Sequence, residues 1–262
     1  MKTLALIICF LPVFVQAQYD PVTEVRNAAI GGITSVVPPR STAIGNPALL
    51  PAMESRFIAL AAQNRFGMKE FNAFALSGGL KRRTSGMALS VAGTGFELYR
   101  KQQYLAAAGL RMNSFLSAGI SIGHNSIRIP ESTVGSSTTS ASIGLSGTIG
   151  EQATVGIELM RIQPANGTGH KQTLRFGSAY RISSSVHVLS EWQTASNLRS
   201  CLRFAVQYLP VKSIVFGYSI SSFPFTNTVA FGYAGEKFRF DTAVQHQSLV
   251  GYSPALSFTR FF

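Results

Sequence analysis

The sequence Leu174-Arg175-Phe176-Gly177-Ser178-Ala179-Tyr180-Arg181-Ile182 alternates between large apolar residues and small or charged ones. Successive side chains of a β-strand point to opposite faces, so the large residues share one face and Arg175 and Arg181 lie on the other. A strand of this length with one mostly apolar face is typical of a transmembrane β-barrel, where one face meets lipid and the other meets the lumen. The stretch therefore predicts a membrane-spanning strand.

The same period-two pattern recurs along the chain between Met53 and the C-terminus, in segments separated by Gly, Ser, Asn or Pro. We count about 14 such segments, the first near residues 54–65 and the last near 252–262, and even numbers are usual in single-chain bacterial barrels. The predicted fold is an all-β, antiparallel transmembrane barrel over residues 53–262. The clearest further segments are Cys201–Tyr208, Ile214–Ile220, Val229–Tyr233 and Phe238–Val244.

The composition supports a barrel in a membrane. Only 13% of the residues are charged, whereas 46% are hydrophobic and the mean hydropathy is +0.20. A closed barrel accommodates such a chain because every backbone amide in lipid pairs with a neighbouring strand. A β-sandwich or a periplasmic solenoid would also alternate, but a sandwich brings Greek-key crossovers and longer connections. The net charge of +12 comes from dispersed Lys and Arg, which argues against nucleic-acid binding and favours contact with the lumen or with lipid phosphates.

The N-terminus predicts export. Lys2 is followed by the apolar run Leu4–Val15 and then by Gln16-Ala17, so we expect a signal peptide over residues 1–17 with cleavage after Ala17. The apolar run is too short to cross a bilayer as a helix. The expected location is therefore the outer membrane of a Gram-negative cell. Cys201 is the one cysteine beyond the signal peptide, so no disulfide is expected within the mature chain.

Residues 18–52 differ from the rest of the chain. Their density of proline and glycine excludes long strands, because proline removes a ladder donor. Their apolar content is too high for a disordered linker. We expect this segment to be buried in the lumen as a hatch. The apolar runs are Ala28–Ile33, Val36–Pro39 and Ile44–Pro51.

Three stretches carry a family resemblance. The run from Asn27 through Gly31-Gly32 to Asn46-Pro47-Ala48 resembles the N-terminal signature of FadL-like barrels and their PorV- and PorQ-type relatives. Phe96–Leu110 with Leu116–Ile122, and the ending Leu249–Ser257, resemble strands of small Bacteroidetes members. The resemblance implies a 14-stranded barrel with an N-terminal hatch, in which Gly31, Gly32, Asn46, Pro47 and Ala48 would form the hatch and its hinge. Asn46-Pro47 also fits a rigid turn into the first strand.

The resemblance implies two functions. In the fatty-acid transporters the hatch shifts to let a hydrophobic ligand pass, whereas in the PorV-type relatives the barrel is a subunit or carrier in protein secretion. Our first hypothesis is hatch-gated passage of small hydrophobic molecules. The alternative is a sealed barrel that docks a secretion or assembly complex.

Charged residues of neighbouring predicted strands form a candidate lumen network. Opposite charges that face a lumen from adjacent strands pair across the sheet. Such a network would guide a ligand, anchor the hatch, or only fill the barrel interior. Its expected members are Glu158, Arg175, Arg181, His187, Glu191 and Arg203.

The C-terminal run Leu256–Phe262 resembles the assembly signal of outer-membrane barrels, with Phe258 and Phe262 as its aromatic residues. The expected partners are accordingly outer-membrane lipid and lipopolysaccharide, the barrel-assembly machinery, and either a small hydrophobic ligand or proteins of a secretion complex.

Residues suited to catalysis or metal binding form no recognisable constellation. The histidines lack zinc-type spacing with one another and with Cys201, and Gly-x-Ser-x-Gly is absent as a strand-to-helix elbow. We expect neither an enzyme nor a cofactor or metal site. The histidines are His124, His170, His187 and His246.

Overall fold

A computed structural model describes residues 30–37, 45–129, 136–150, 152–164, 171–196, 198–248 and 250–262. The predicted signal peptide lies outside these residues. Of the predicted hatch, residues 18–52, the structure describes 30–37 and 45–52. We call these two stretches the plug.

Fourteen antiparallel strands form a closed barrel in which each strand pairs with its neighbours in sequence, and the first pairs with the last. The predicted fold and strand number are confirmed. The strands are β1 (Phe57–Asn64), β2 (Asn72–Lys81), β3 (Ser85–Phe96), β4 (Tyr99–Arg111), β5 (Leu116–Arg128), β6 (Ser136–Ile149), β7 (Ala153–Pro164), β8 (Lys171–Arg181), β9 (Val186–Ala195), β10 (Cys201–Val211), β11 (Ile214–Ser222), β12 (Phe225–Ala234), β13 (Phe238–Gln247) and β14 (Gly251–Phe261).

Alternation along each strand separates an apolar exterior from a small and polar interior. In β10, Leu202 and Phe204 point outward and are exposed, while Cys201, Arg203 and Ala205 point inward and are buried. Exposed large apolar residues cover the outside of every strand. An exterior of this kind is stable only where lipid replaces water.

The two ends of the barrel differ in the length of their connections. At the end where β1 begins and β14 ends, successive strands are joined by two to four residues. At the opposite end, 65–71 and 129–135 each supply seven residues between strands. Bacterial barrels place short turns in the periplasm and longer loops outside the cell. We therefore refer to the end with the short turns as the periplasmic end.

Two short 3₁₀ helices lie in the β1–β2 connection, Arg65–Gly67 and Lys69–Phe71, and a third, Pro47–Ala52, precedes β1. Within the described ranges, no helix has the length and hydrophobicity that crossing a membrane requires.

Candidate functional site: the plugged lumen

The described plug residues follow the inner wall of the barrel from β11 back to β1. Gly31 lies against Ser219 of β11, and Gly32 lies near Arg203 of β10. Further along the chain, Leu50 lies against Gly86 of β3. The placement of these stretches inside the barrel agrees with the burial argument from their composition.

A tight turn begins the described part of the plug. The Ile33 amide donates to the Ile30 carbonyl at 3.2 Å, and Gly31 and Gly32 between them have φ of +68° and +77°. Both angles lie in the left-handed region, which side chains with a Cβ rarely adopt. The turn places Ile30 and Ile33 against Leu189, so this stretch is anchored by apolar burial. The geometry accounts for both glycines as a turn, and their role as a hinge stays a prediction.

Asn46 connects the two plug stretches to each other and to the barrel wall. Its Nδ2 donates to the Ser35 carbonyl at 3.0 Å, and also to the carbonyls of Leu145 at 3.0 Å and Ile157 at 3.3 Å. Its Oδ1 accepts the Ala48 amide at 3.0 Å. Asn46 is 1% exposed, so these bonds lie in a dry environment where an unmade bond is costly.

The Asn46-Pro47-Ala48 sequence is the start of the 3₁₀ helix Pro47–Ala52. Asn46 is its N-cap and Pro47 occupies the first helical position, which is where each residue type is favoured. Leu50 of this helix packs with Met53 and Ala88 in one buried cluster. The rigid-turn interpretation of Asn-Pro therefore has a structural basis.

A row of glycines makes room for the plug. Gly86, Gly109, Gly119 and Gly144 pair successively across β3, β4, β5 and β6. A Cβ at any of them would overlap a plug atom: Leu50 for the first, Pro47 for the next two, and Asn46 for the last. We call these four residues the glycine row. The helix therefore rests directly on the wall backbone.

The glycines continue on the next two strands. Gly156 of β7 pairs with Gly177 of β8, and a Cβ on either would overlap Ser35. Close approach of two backbones is a role that only glycine fills. The inner wall is thus shaped to the plug over six consecutive strands.

The lumen charge network forms as two buried ion pairs joined by a neutral residue. Arg175 contacts Glu158 at 3.0 Å, and Arg203 contacts Glu191 at 3.0 Å. The Gln193 Oε1 accepts from Arg203 at 2.7 Å and from Arg175 at 3.4 Å, so it connects the pairs. Four of the six expected members are therefore brought together.

Glu191 also holds the plug. Its Oε2 accepts the backbone amides of Thr34 at 2.9 Å and Ser35 at 2.8 Å, while its Oε1 binds Arg203. The carboxylate is 1% exposed, and the arginine and two amides compensate its buried charge. The sequence left three roles open for the network: guiding a ligand, anchoring the hatch or filling the interior. This contact supports the anchoring role.

The other two expected members lie at the periplasmic end of the wall. Arg181 pairs in register with His187, but Arg181 is exposed and His187 is half-buried. Both sit where β8 ends and β9 begins, so Arg181 is six residues from Arg175 along β8 and His187 is four residues from Glu191 along β9. Arg181 thus lies outside the buried pairs, since inward alternation at a barrel rim leads to solvent, and its membership of the lumen network stays a prediction.

Sequence reasoning missed an ion pair and an apolar patch. Arg239 and Asp241 of β13 bind each other at 2.7 Å and are both buried. Their spacing of two residues was the available signal, because it places both on one face of a strand. A buried alanine cluster lies on the adjoining wall, formed by Ala230, Ala243 and Ala255 with Ala61.

The predicted assembly-signal aromatics lie on the outside of the last strand. Phe258 is exposed on β14, and Phe262 follows it with the Arg260 guanidinium 5.1 Å from its ring centroid. The Phe262 amide donates to the Arg56 carbonyl at 3.1 Å, which closes the wall against the start of β1. Recognition of these residues by assembly machinery stays a prediction.

Among the residues that the structure describes, no group of three His, Cys, Asp or Glu side chains is placed to hold a metal ion. The absence of catalysis and of a cofactor stays a prediction from the sequence.

Comparison with solved structures shows the fold. No protein-family model and no curated protein matches the sequence. The CymD monoaromatic hydrocarbon channel has a TM-score of 0.66 at 14% identity, covering 92% of this chain and 97% of that chain. The Ralstonia pickettii toluene transporter TbuX has a TM-score of 0.65 at 11% identity, covering 91% and 98%. A Pseudomonas aeruginosa FadL homologue has a TM-score of 0.63 at 10% identity, covering 93% and 99%.

The fold expected from the FadL-like resemblance is thereby confirmed. The likeness to PorV-type relatives and the Bacteroidetes origin stay predictions.

Proposed function

We propose that this chain is an outer-membrane transport protein that passes small hydrophobic molecules through a lumen controlled by the plug. The observation that carries the proposal is that only a small number of polar contacts attach the described plug residues to the wall. Asn46 and Glu191 make the polar contacts of the two plug stretches with β6, β7 and β9. A segment held in this way changes position when a few bonds are exchanged, without loss of any strand pairing.

The lining of the lumen also supports passage of apolar molecules. The alanine cluster of Ala61, Ala230, Ala243 and Ala255 gives an apolar surface that lies on β1 and β12–β14. Leu50 of the plug packs in one buried cluster with Phe57 and Ala59 of β1 and Phe261 of β14. The plug and the alanine cluster therefore adjoin at β1.

The barrel's neighbours in fold are named as hydrocarbon channels and transporters, which favours the same substrate class. Because identity is at most 14% among them, this is an argument by analogy of fold. We extend it to the location in the outer membrane, which the apolar exterior independently favours.

The sealed-barrel alternative has its own supporting observation. The glycine row fits the plug so closely that the plug fills the space next to four strands, as a permanent closure would. In that case the barrel would serve as a docking or carrier subunit of a secretion or assembly complex.

Purification from the native outer membrane in mild detergent, followed by native mass spectrometry, separates the two functions. The transport proposal predicts a barrel that emerges alone and retains a small hydrophobic molecule. A stoichiometric protein partner on a barrel without such a ligand would refute transport and support the sealed barrel.

A further inference from the structure

An apolar groove of about 750 Å³ runs across the outside of the barrel on β3–β8. Two rows of outward-facing side chains border it. The residues of one row pair successively across six strands. The other row runs beside it, two residues along each strand nearer the periplasmic end. The first row is Met87, Ala108, Ile120, Ile143, Leu159 and Leu174.

The glycine row forms the floor of the groove. Gly86, Gly109, Gly119 and Gly144 all line it, each between one residue of either bordering row. Ala108 and Ala118 deepen the groove, because their side chains are the smallest of the outward-facing side chains along its borders. Because these glycines face the plug, they present only backbone to the outside, and the depression comes from the small outward side chains of Ser85, Ala108 and Ala118.

The dimensions of the groove match one leaflet of a bilayer. Its first row crosses five inter-strand steps of about 4.8 Å, which gives a length of about 24 Å. Barrel strands tilt by about 40° from the membrane normal, so a row perpendicular to them descends through about 15 Å of depth. That is half of the roughly 30 Å hydrocarbon core.

The groove begins at the periplasmic end and rises toward the middle of the wall. Met87 lies two residues from the start of β3, whereas Leu174 lies seven residues from the end of β8. The β2–β3 turn at the lower end carries Arg82 and Arg83, both exposed. Among the described residues, neither makes an ion pair with a carboxylate, and the turn itself contains no acidic residue.

We propose that this groove binds one anionic phospholipid of the periplasmic leaflet, with an acyl chain along the glycine row and the phosphate at Arg82 and Arg83. The groove has an apolar lining, spans the depth of one leaflet and carries two cations at its interfacial end. Together these features would recognise the acyl chain and the phosphate of such a lipid. The proposal depends on the barrel lying in a membrane and is independent of what passes through the lumen. Its failure would therefore leave the transport proposal standing.

Quenching of tryptophan fluorescence by phospholipids with brominated acyl chains tests this site. Trp192, on the outside of β9, is the single tryptophan of the sequence, and Trp192→Phe removes its signal. Met87→Trp then places a probe on the border of the groove. Thr242→Trp, at an outward position of β13 in the opposite sector, is the matched control.

In vesicles that mix brominated phosphatidylglycerol with phosphatidylcholine, we expect the groove probe to report roughly tenfold tighter binding of the anionic lipid than the control probe does. Arg82→Gln with Arg83→Gln should bring the groove probe to the control value, while Lys212→Gln in the β10–β11 turn should leave it unchanged. Equal relative binding at the two probes would overturn the proposal. So would protection of the groove probe from all brominated lipid, which would show that a second copy of the chain covers the groove.

Discussion

Removal of the Asn46 side chain tests how the plug is held. Asn46→Ala deletes the bonds of Nδ2 to the carbonyls of Ser35, Leu145 and Ile157 and the bond of Oδ1 to the Ala48 amide. Since Nδ2 has two hydrogens, about three hydrogen bonds are lost, each with a net value of about 1 kcal/mol. We expect the free energy of plug detachment to fall by about 3 kcal/mol, which raises the detached population roughly a hundredfold.

Cysteine labelling measures that population. Cys201→Ser removes the buried native thiol, and Ala48→Cys places a new one where the native side chain is 1% exposed. The rate of reaction with a maleimide should rise roughly a hundredfold in Asn46→Ala, because the thiol reacts only when the plug has detached. Asn46→Asp should be at least as disruptive, since a carboxylate would face three carbonyl oxygens in place of an amide donor.

Thr228→Ala is the matched control for labelling. Thr228 is buried in the lumen on β12, and among the described residues, including those of the plug, its hydroxyl has no hydrogen-bond partner. Its labelling rate should equal that of the parent. A rate for Asn46→Ala within about threefold of the parent would mean a difference below about 1 kcal/mol, and would refute the claim that Asn46 holds the plug.

Two further substitutions test the wall and the network. Gly144→Ala should displace the plug, because the added methyl overlaps Asn46 and overpacking of this kind costs about 1–3 kcal/mol. Faster labelling of the cysteine at position 48 would show the displacement. Gly93→Ala, on the outward face with nothing within 4 Å of the added Cβ, should leave the labelling rate unchanged. Glu191→Ala should lower the free energy of unfolding in urea by about 3–5 kcal/mol and should also expose the plug to labelling. Asp241→Ala breaks the buried pair with Arg239, which makes no contact with the described plug residues, and should therefore destabilise the barrel without faster labelling.

Local alternation was sufficient to predict the barrel wall. In β8 and β10 the inward and outward faces follow directly from the sequence, because each face depends only on residue parity within one strand. The pairs of Glu158 with Arg175 and Glu191 with Arg203 were predictable for a related reason, since hairpin neighbours align opposite charges.

The glycine row was not predictable from the sequence. Its members are separated by 23, 10 and 25 positions, and only the register of four strands brings them into line. Gln193 was missed because a neutral side chain between two ion pairs leaves no charge pattern. Asn46 did carry a local signal, as Asn before Pro is typical of a helix start, but its bonds to β6 and β7 depend on tertiary structure.

Transport controlled by the plug is tested most directly by fastening the plug to the wall. A Cβ at Gly177 would lie 3.3 Å from that of Ser35, close to the separation of about 3.5–4.5 Å found in disulfides. Ser35→Cys with Gly177→Cys, in a Cys201→Ser background, should therefore form a disulfide between the plug and β8. The controls are Ser35→Cys alone and the Cys201→Ser parent, because in Gly177→Cys alone the new Cβ would overlap the Ser35 hydroxyl.

Uptake of radiolabelled toluene and of a fatty acid is then measured in intact cells before and after reduction. We expect the oxidised double variant to take up at least one of the two compounds no faster than cells without the protein, and we expect reduction to restore uptake to the level of the controls. Uptake that the disulfide leaves unchanged would contradict control by the plug, and uptake at the level of cells without the protein in every variant would contradict transport itself.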